Sequence, residues 1–292
     1  MEDINTIDIN NPLYPQSLKE IIDPPRVLYY KGNLDFNSAH IIAVVGTRRC
    51  SDYGKQATIE IVSKLAQAGF AIISGMAKGI DTIAHQTALD YNSKTIAVLG
   101  TGIDDKSIYP QENLGLSKKI IENNGAIISE YPPNTPGHKS NFPERNRIIS
   151  GISQAVLVIE AKEKSGALIT VRHAFQQKKI VFALPGSIYA PNSKGCNRII
   201  KNGAKLIEKA EDIFKEFGIS PKIIRQRITN ISPEEKLILD ILKNQALHIN
   251  KIIELTKLSS TKINSLLINL EMTGIIRNLG NNTFIIKNKW QN

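Results

Sequence analysis

From Ile41 onward the chain alternates short, unbroken apolar runs with longer stretches of helical period. The runs are IIAVV (41–45), AIIS (71–74), TIAVLG (95–100), AIIS (126–129), AVLVIE (155–160), IVFAL (180–184) and a short KLI (205–207). Residues 54–68 carry Ala57, Ile61, Leu65 and Ala68 at helical spacing, and the stretches 80–91, 112–123 and 167–178 behave alike. Strands without polar alternation are covered on both faces, and helices between them supply the cover. The pattern predicts an α/β domain: a Rossmann-like, doubly wound, mostly parallel sheet. Residues 1–40 are punctuated by Tyr14-Pro15, Pro24-Pro25 and Lys31-Gly32. They read as an irregular arm lying on the domain that follows.

Beyond Phe217 the pattern changes. Residues 218–231 read as a linker carrying Lys222, Arg225 and Arg227, which bounds the first domain at 1–217. In 232–292, Ser232 stands as an N-cap before Pro233, and three short helical periods follow. The first carries Leu237, Ile238, Ile241 and Leu242; the second Ile249, Ile252, Ile253 and Leu255; the third Ile263, Leu266, Leu267 and Leu270. Ser259 or Ser260 caps the third. Gly280-Asn281-Asn282 then joins two β-rich segments as a hairpin turn. Three helices and a two-stranded wing predict a small C-terminal winged-helix domain.

Charge adds a direction. The 292 residues hold 37 Lys and Arg against 27 Asp and Glu, a formal net charge of +10. That excess suits a polyanion, either nucleic acid or an anionic membrane surface. AT-rich coding also inflates lysine. Two cysteines, Cys50 and Cys196, offer neither a metal spacing nor a disulfide framework, as expected of a reducing compartment. The start, MEDINTIDINNPLYP, has no signal-peptide pattern, and no apolar run reaches membrane-span length. A cytoplasmic protein without membrane insertion is expected.

In doubly wound sheets ligands bind beyond the carboxyl ends of the strands, so the residues after each run carry the chemistry. They are Gly46-Thr47-Arg48, then Ser74-Gly75 with Lys78 and Asp81, then Gly100-Thr101-Gly102 with Asp104. Glu130 follows the fourth run and leads to Lys139, Phe142, Arg145, Asn146 and Arg147; Glu160, Lys164, Ser165 and Gly166 follow the fifth. The stretch 139–147 reads either as a basic loop carrying one aromatic or as a helix start with solvated arginines. As a loop it suits a single-stranded polynucleotide, with cations on phosphates and Phe142 stacked on a base.

Other chemistries are thinly supported. No G-x-G-x-x-G or P-loop is present, so no nucleotide cofactor is expected. The five histidines lack ligand spacing, so no metal is expected either. Asp81, Asp104, Glu130 and Glu160 could form an acid–base set, but each has a plain structural reading. Asp81 complements a helix dipole, Asp104 caps a turn, and His85, one turn past Asp81, is expected to hydrogen-bond it.

At these residues the chain resembles the DNA-processing protein A family, DprA, also called Smf. The resemblance rests on AVVGTR (43–48), SGMAKGIDTIAH (74–85), TIAVLGTGID (95–104), SEYPPNTP (129–136), NFPERNRIISG (141–151), SGALIT (165–170), LPGSI (184–188) and SKGCNRIIKNGAKLI (193–207). It implies a non-enzymatic homodimer that binds incoming single-stranded DNA during natural transformation, protects it and helps load the RecA recombinase. The family's pocket maps onto Arg48, Lys139 and Phe142, floored by Gly46, Ser74-Gly75 and Ser165-Gly166. Its dimer contact points to roughly residues 165–210. Two departures stand out. Lys78 replaces an arginine common in the family, and the family's extra N-terminal helical domain has only the short arm as counterpart. In the winged module, the third helix carries one cation, Lys262, which favours an auxiliary role over reading a major groove.

Overall fold

Among the described residues, the seven apolar runs and two strands of the arm pair into one nine-stranded sheet. The computed structural model describes residues 4–34, 40–219, 232–243, 245–272 and 275–286. It divides between Ser220 and Pro221 into two compact units. Past Ile219 the expected linker, with Lys222, Arg225 and Arg227, lies outside the described residues.

In the first unit the elements run β1 (Asn5–Asp8), α1 (Gln16–Lys19), β2 (Val27–Gly32), β3 (Ile41–Val45), α2 (Asp52–Gln67), β4 (Ala71–Ser74), α3 (Ile80–Asp90), β5 (Thr95–Leu99), α4 (Leu114–Glu122), β6 (Ala126–Ser129), α5 (Asn141–Ile152), β7 (Ala155–Val158), α6 (Ala167–Gln176), β8 (Ile180–Ala183), α7 (Lys194–Lys201), β9 (Lys205–Leu206) and α8 (Ala210–Glu216). The sheet order is β1-β2-β6-β5-β4-β3-β7-β8-β9. From β6 to β9 every neighbouring pair is parallel. Alternate strand residues feed opposite faces. Val45, Ile73 and Val98 pack with Ile148, Ile149 and Val171 of α5 and α6, while Ala97, Leu99 and Ile127 pack with Leu89, Leu116 and Ile120 of α3 and α4.

Two expectations are corrected here. The arm is not irregular: β1 pairs antiparallel with β2, and β2 antiparallel with β6, so the arm extends the sheet. Its polar turns hid two strands whose partners lie far away in sequence. The basic stretch 139–147 is a loop only through Ser140, because Asn141 opens α5, and from there the helix-start reading holds. Pro143 falls in the first turn, where a missing N–H costs nothing, and Ile148, Ile149 and Ile152 bury the helix against the sheet.

The second unit contains α9 (Pro233–Leu242), β10 (Leu247–His248), α10 (Ile249–Thr256), α11 (Ser260–Met272), β11 (Ile276–Asn278) and β12 (Thr283–Ile286). Ser232 and Glu235 form a reciprocal capping box, with the Glu235 amide on Ser232 Oγ at 3.2 Å and the Ser232 amide on Glu235 Oε2 at 2.8 Å. Ser259 caps α11, its Oγ accepting the Lys262 amide at 3.3 Å. Ile238, Leu242, Ile252, Ile263, Leu267 and Phe284 form the core. Leu237 and Leu255, expected on apolar faces, are exposed instead. The wing has three strands, in the order β10-β12-β11. This is a winged helix with one more short strand than expected.

Gly79 enters α3 at φ +81°, and a Cβ there would lie 2.4 Å from the Thr47 carbonyl oxygen. Both the conformation and the contact exclude a side chain. Gly79→Ala is expected to cost more than about 2 kcal/mol, read as a lower urea midpoint at unchanged m-value.

Candidate nucleic-acid interface

The sheet changes winding direction between β3 and β7, which are hydrogen-bonded neighbours. Crevices of doubly wound sheets open at such a point. Here it is floored by Glu160, 2 % exposed. Its carboxylate accepts the Ser51 amide at 2.9 Å, the Ser51 hydroxyl at 2.5 Å and Asn192 Nδ2 at 3.4 Å. Its carbonyl accepts the Thr47 amide at 2.8 Å. Ser51 in turn caps α2 through the Gly54 amide. A Cβ on Gly54 would stand 2.2 Å from Glu160 Oε2, so helix and carboxylate fit only through a glycine. Glu160 is thus a structural anchor of the loop that carries Arg48.

Beside it lies a patch centred on Phe142. The half-buried ring leans on Gly100, where a Cβ would come within 3.0 Å of Phe142 Cδ1. The Tyr109 ring centroid is 5.4 Å from that of Phe142. The Arg48 guanidinium sits 5.6 Å from the Phe142 ring centroid, within cation–π range. Arg48 and Lys139 are exposed. Sequence reasoning placed Gly100 at this edge, directly after the third run, but did not find Tyr109. Tyr109 lies outside the residues that directly follow the apolar runs.

Under the patch runs a buried polar layer. Arg145 is 4 % exposed. Its Nη1 donates to the Gly75 carbonyl at 2.8 Å and to the Val98 carbonyl, and Nε donates to Asn146 Oδ1 at 3.2 Å. A Cβ on Gly75 would collide with the guanidinium at 2.5 Å. Burial pulls Arg145 down to about 10, against the opposing charge of Asp81. Asp81 accepts the Gly75 amide at 3.2 Å and the Ala77 amide at 3.4 Å. Burial pushes its carboxyl up, and Arg145 holds it back. The expected Asp81–His85 bond is absent from the arrangement: His85 Nδ1 meets Thr95 Oγ1 at 2.7 Å. Its Nε2 has no hydrogen-bond partner among the described residues.

The structure therefore sorts the sequence-predicted residues. Arg48, Lys78, Lys139 and Lys164 are exposed in loops at one edge. Lys78 is held by Glu112 at 2.6 Å. Gly46 lies against Ile80, with 2.6 Å left for a Cβ. Thr47 is buried and its Oγ1 accepts the Arg49 amide at 3.3 Å. Ser74 is buried, donating to the Val44 carbonyl at 2.6 Å. Ser165 Oγ accepts the Ala167 amide, and the exposed Gly166 has open space above it. Asn146 Nδ2 reaches the Gly166 carbonyl at 3.3 Å, tying α5 to the start of α6.

Arg145 and Arg147 depart from their expected place in a solvent-facing loop. Arg147 forks onto Glu130 at 2.7 and 2.6 Å and donates to the Asp23 carbonyl at 2.8 Å. It clamps the N-terminal arm to α5. Asp104 accepts the Asn134 amide at 2.6 Å and the Ser107 amide at 3.2 Å, the capping role expected of it. All four candidate carboxylates are engaged in structural contacts.

Fold and edge together define a doubly wound α/β protein with an aromatic and cationic patch at its carboxyl edge, followed in sequence by a winged-helix unit. The profile of the family described as DNA recombination-mediator protein A matches residues 5–218, and that of the DprA winged helix domain matches 226–282. The chain belongs to the DNA recombination-mediator protein A family. It is 44% identical over 214 residues to the DNA processing protein DprA of Bacillus subtilis, spanning 73% of this chain and 71% of the relative. The crystal structure of DprA from Streptococcus pneumoniae superposes with a TM-score of 0.69 at 41% identity, covering 73% of this chain and 74% of that one. The DNA processing protein A structure from Helicobacter pylori, described for its single-stranded DNA binding mode, superposes with a TM-score of 0.66 at 32% identity, covering 74% and 98%.

Two tests address the buried layer. Burial, helped by the Arg145 charge, pulls His85 down to about 3. The unfolded chain takes up this proton below about 6.5, which the folded chain refuses until about pH 3. The residue's contribution is whole above pH 6.5 and is lost as pH falls toward 3. Between pH 7 and 5 the loss is about 2 kcal/mol, expected in urea titrations of the wild type and missing from His85→Asn. Arg147→Ala strands Glu130 in a largely enclosed site and is expected to cost about 3–5 kcal/mol, measurable by the same titration at pH 7.

Proposed function

We propose that the chain binds single-stranded DNA along the carboxyl edge of its sheet without reading sequence. In this role it protects incoming DNA during natural transformation and helps load the RecA recombinase. The observation that carries the binding step is the Phe142 ring, held on Gly100 beside Tyr109 and Arg48. A part-exposed ring with adjacent cations takes any base by stacking and any phosphate by charge. Arg48, Lys139 and Lys164 are the phosphate contacts in this reading, and Gly46, Thr47, Ser74, Gly75, Ser165 and Gly166 shape the floor. Lys78 joins them when Glu112 releases it. Arg145, Asn146 and Arg147 act from below, as supports. The family relationship and the described binding mode of the H. pylori relative support the assignment.

The recombination role rests on family membership. The reading places the protein in the cytoplasm, assigns it no catalytic step, and organises it as a DNA-binding domain (1–217), a linker (218–231) and a winged-helix domain (232–292). No described helix is long and apolar enough to cross a membrane. A homodimer contact within 165–210 is supported by the exposed Phe175 and Leu206. The winged unit serves as an auxiliary module, because Lys262 on α11 pairs with Glu234 at 2.9 Å rather than standing ready for a groove.

The test is equilibrium binding of labelled oligo-dT and its duplex across a salt series. Single-strand affinity should fall with a log–log slope of about −0.7 per phosphate contact, and Arg48→Ala should flatten it by about that amount. Phe142→Ala should weaken binding by about 1–3 kcal/mol at every salt. Salt-independent affinity, or affinity indifferent to both substitutions, excludes this surface as the binding site.

A further inference from the structure

The same edge carries a second aromatic station. The segment between β8 and α7, residues 184–193, follows a strand on the far side of the winding reversal from Phe142. At its tip Ile188 is 70 % and Tyr189 87 % exposed. Two adjacent large apolar side chains in water are easily understood on a mobile loop, but this loop is fastened at both ends. Asn197 and Gly186 exchange hydrogen bonds of 3.2 and 2.9 Å. The Tyr53 hydroxyl donates to the Pro185 carbonyl at 2.8 Å. The Asn192 carbonyl accepts the Ala161 amide at 2.7 Å. The tip itself is a tight turn, with the Ala190 amide on the Ser187 carbonyl at 3.0 Å.

One residue welds this loop to the Phe142 side. Asn192 Nδ2 donates to the Arg49 carbonyl at 3.0 Å and lies 3.4 Å from the Glu160 carboxylate. Arg49 adjoins Arg48, whose guanidinium lies against Phe142. The two aromatic stations are therefore joined through a short chain of bonded groups. Lys162, Lys164 and Lys194 are exposed on the segments joined by the Ala161–Asn192 and Gly195–Ala161 backbone bonds, with Glu163 the neighbouring exposed acid in that run. Exposed rings on fixed supports, separated by cations, are the physical requirements of a sequence-tolerant single-strand groove. Phe142 stands over Gly100 at the end of β5, and the Tyr189 loop leaves β8. Four strand spacings separate β5 from β8 in the sheet, a span of about 19 Å.

The geometry points to Tyr189 as a second base-stacking subsite, so that one single strand runs from Phe142 across Arg48 and Arg49 to Tyr189. This rests on the single-strand reading of the Phe142 patch and extends it. Strands too short to span both stations should engage Phe142 alone, and longer strands both.

The experiment is a length ladder of oligo-dT, from four to about twenty nucleotides, titrated into full-length wild type, Tyr189→Ala, Tyr189→Trp and Phe142→Ala, with sedimentation of each variant. Wild-type affinity should rise in two steps with length. Tyr189→Ala should match wild type on the shortest strands it binds and fall roughly five- to hundredfold behind on the longest. Tyr189→Trp should restore the second step, and Phe142→Ala should weaken binding at every length. Equal affinities of wild type and Tyr189→Ala at all lengths overturn the second station while leaving the Phe142 reading intact. A change of oligomeric state in Tyr189→Ala overturns it in favour of a self-contact. Failure of the wild type to bind any oligonucleotide removes both readings together.

Discussion

A guanidinium buried beneath the carboxyl edge holds the candidate site together. Arg145 lies under the first turn of α5, bonded to backbone carbonyls at the ends of β4 and β5. A buried charge survives only when it is paired and hydrogen-bonded, and Asp81 supplies the counter-charge from the start of α3. Gly75 leaves the space that the guanidinium fills. The turn of α5 so anchored carries Phe142 three residues earlier, and thereby sets where the ring rests on Gly100. Displacing this arginine would loosen α5, β4 and β5 at one point.

Glu160 does the same on the other side of the reversal in winding. Its carboxylate satisfies the α2 cap and the Asn192 side chain, and its backbone holds Thr47. Four acids of this edge are thus consumed by the scaffold, Glu160 by Ser51, Glu130 by Arg147, and Asp81 and Asp104 by backbone amides, while Glu112 and Glu163 stay exposed. Cations are left outside. A surface that spends its carboxylates on its own scaffold presents positive charge and fixed geometry at once, which lowers the ordering cost of binding.

Much of this was legible in the sequence, for stated reasons. Strands covered on both faces read as unbroken apolar runs, and Ile41–Val45, Ala71–Ser74 and Ala126–Ser129 coincide with theirs. The strand ends then located the site by topology alone. Whether an arginine faces water is another matter, since Arg48, Arg145 and Arg147 look alike in one dimension. Burial of Arg145 depends on the Gly75 backbone, and that of Arg147 on Glu130 and Asp23, distant residues brought close by the fold. The Phe142-Pro143 pair and dense charge resembled a loop, although proline is at home in a first helical turn. His85 sits one turn from Asp81 yet turns to Thr95, because β5 offers an acceptor that helical spacing cannot reveal. Strands β1 and β2 lacked a signal because antiparallel edge pairing leaves short, mixed segments.

The arm's place in the sheet bears on the order in which the chain assembles. Strand β2 is made early, yet its partner β6 follows roughly a hundred residues later, and the Asp23–Glu130 clamp closes through Arg147, later still. A ribosome releases the chain from its amino end, so the arm, synthesised well before β6, must wait for its partner strand before it can dock. Contacts of such long sequence separation form slowly. The arm then docks only after β6 is in place, covering the β6 edge that would otherwise remain open to other chains.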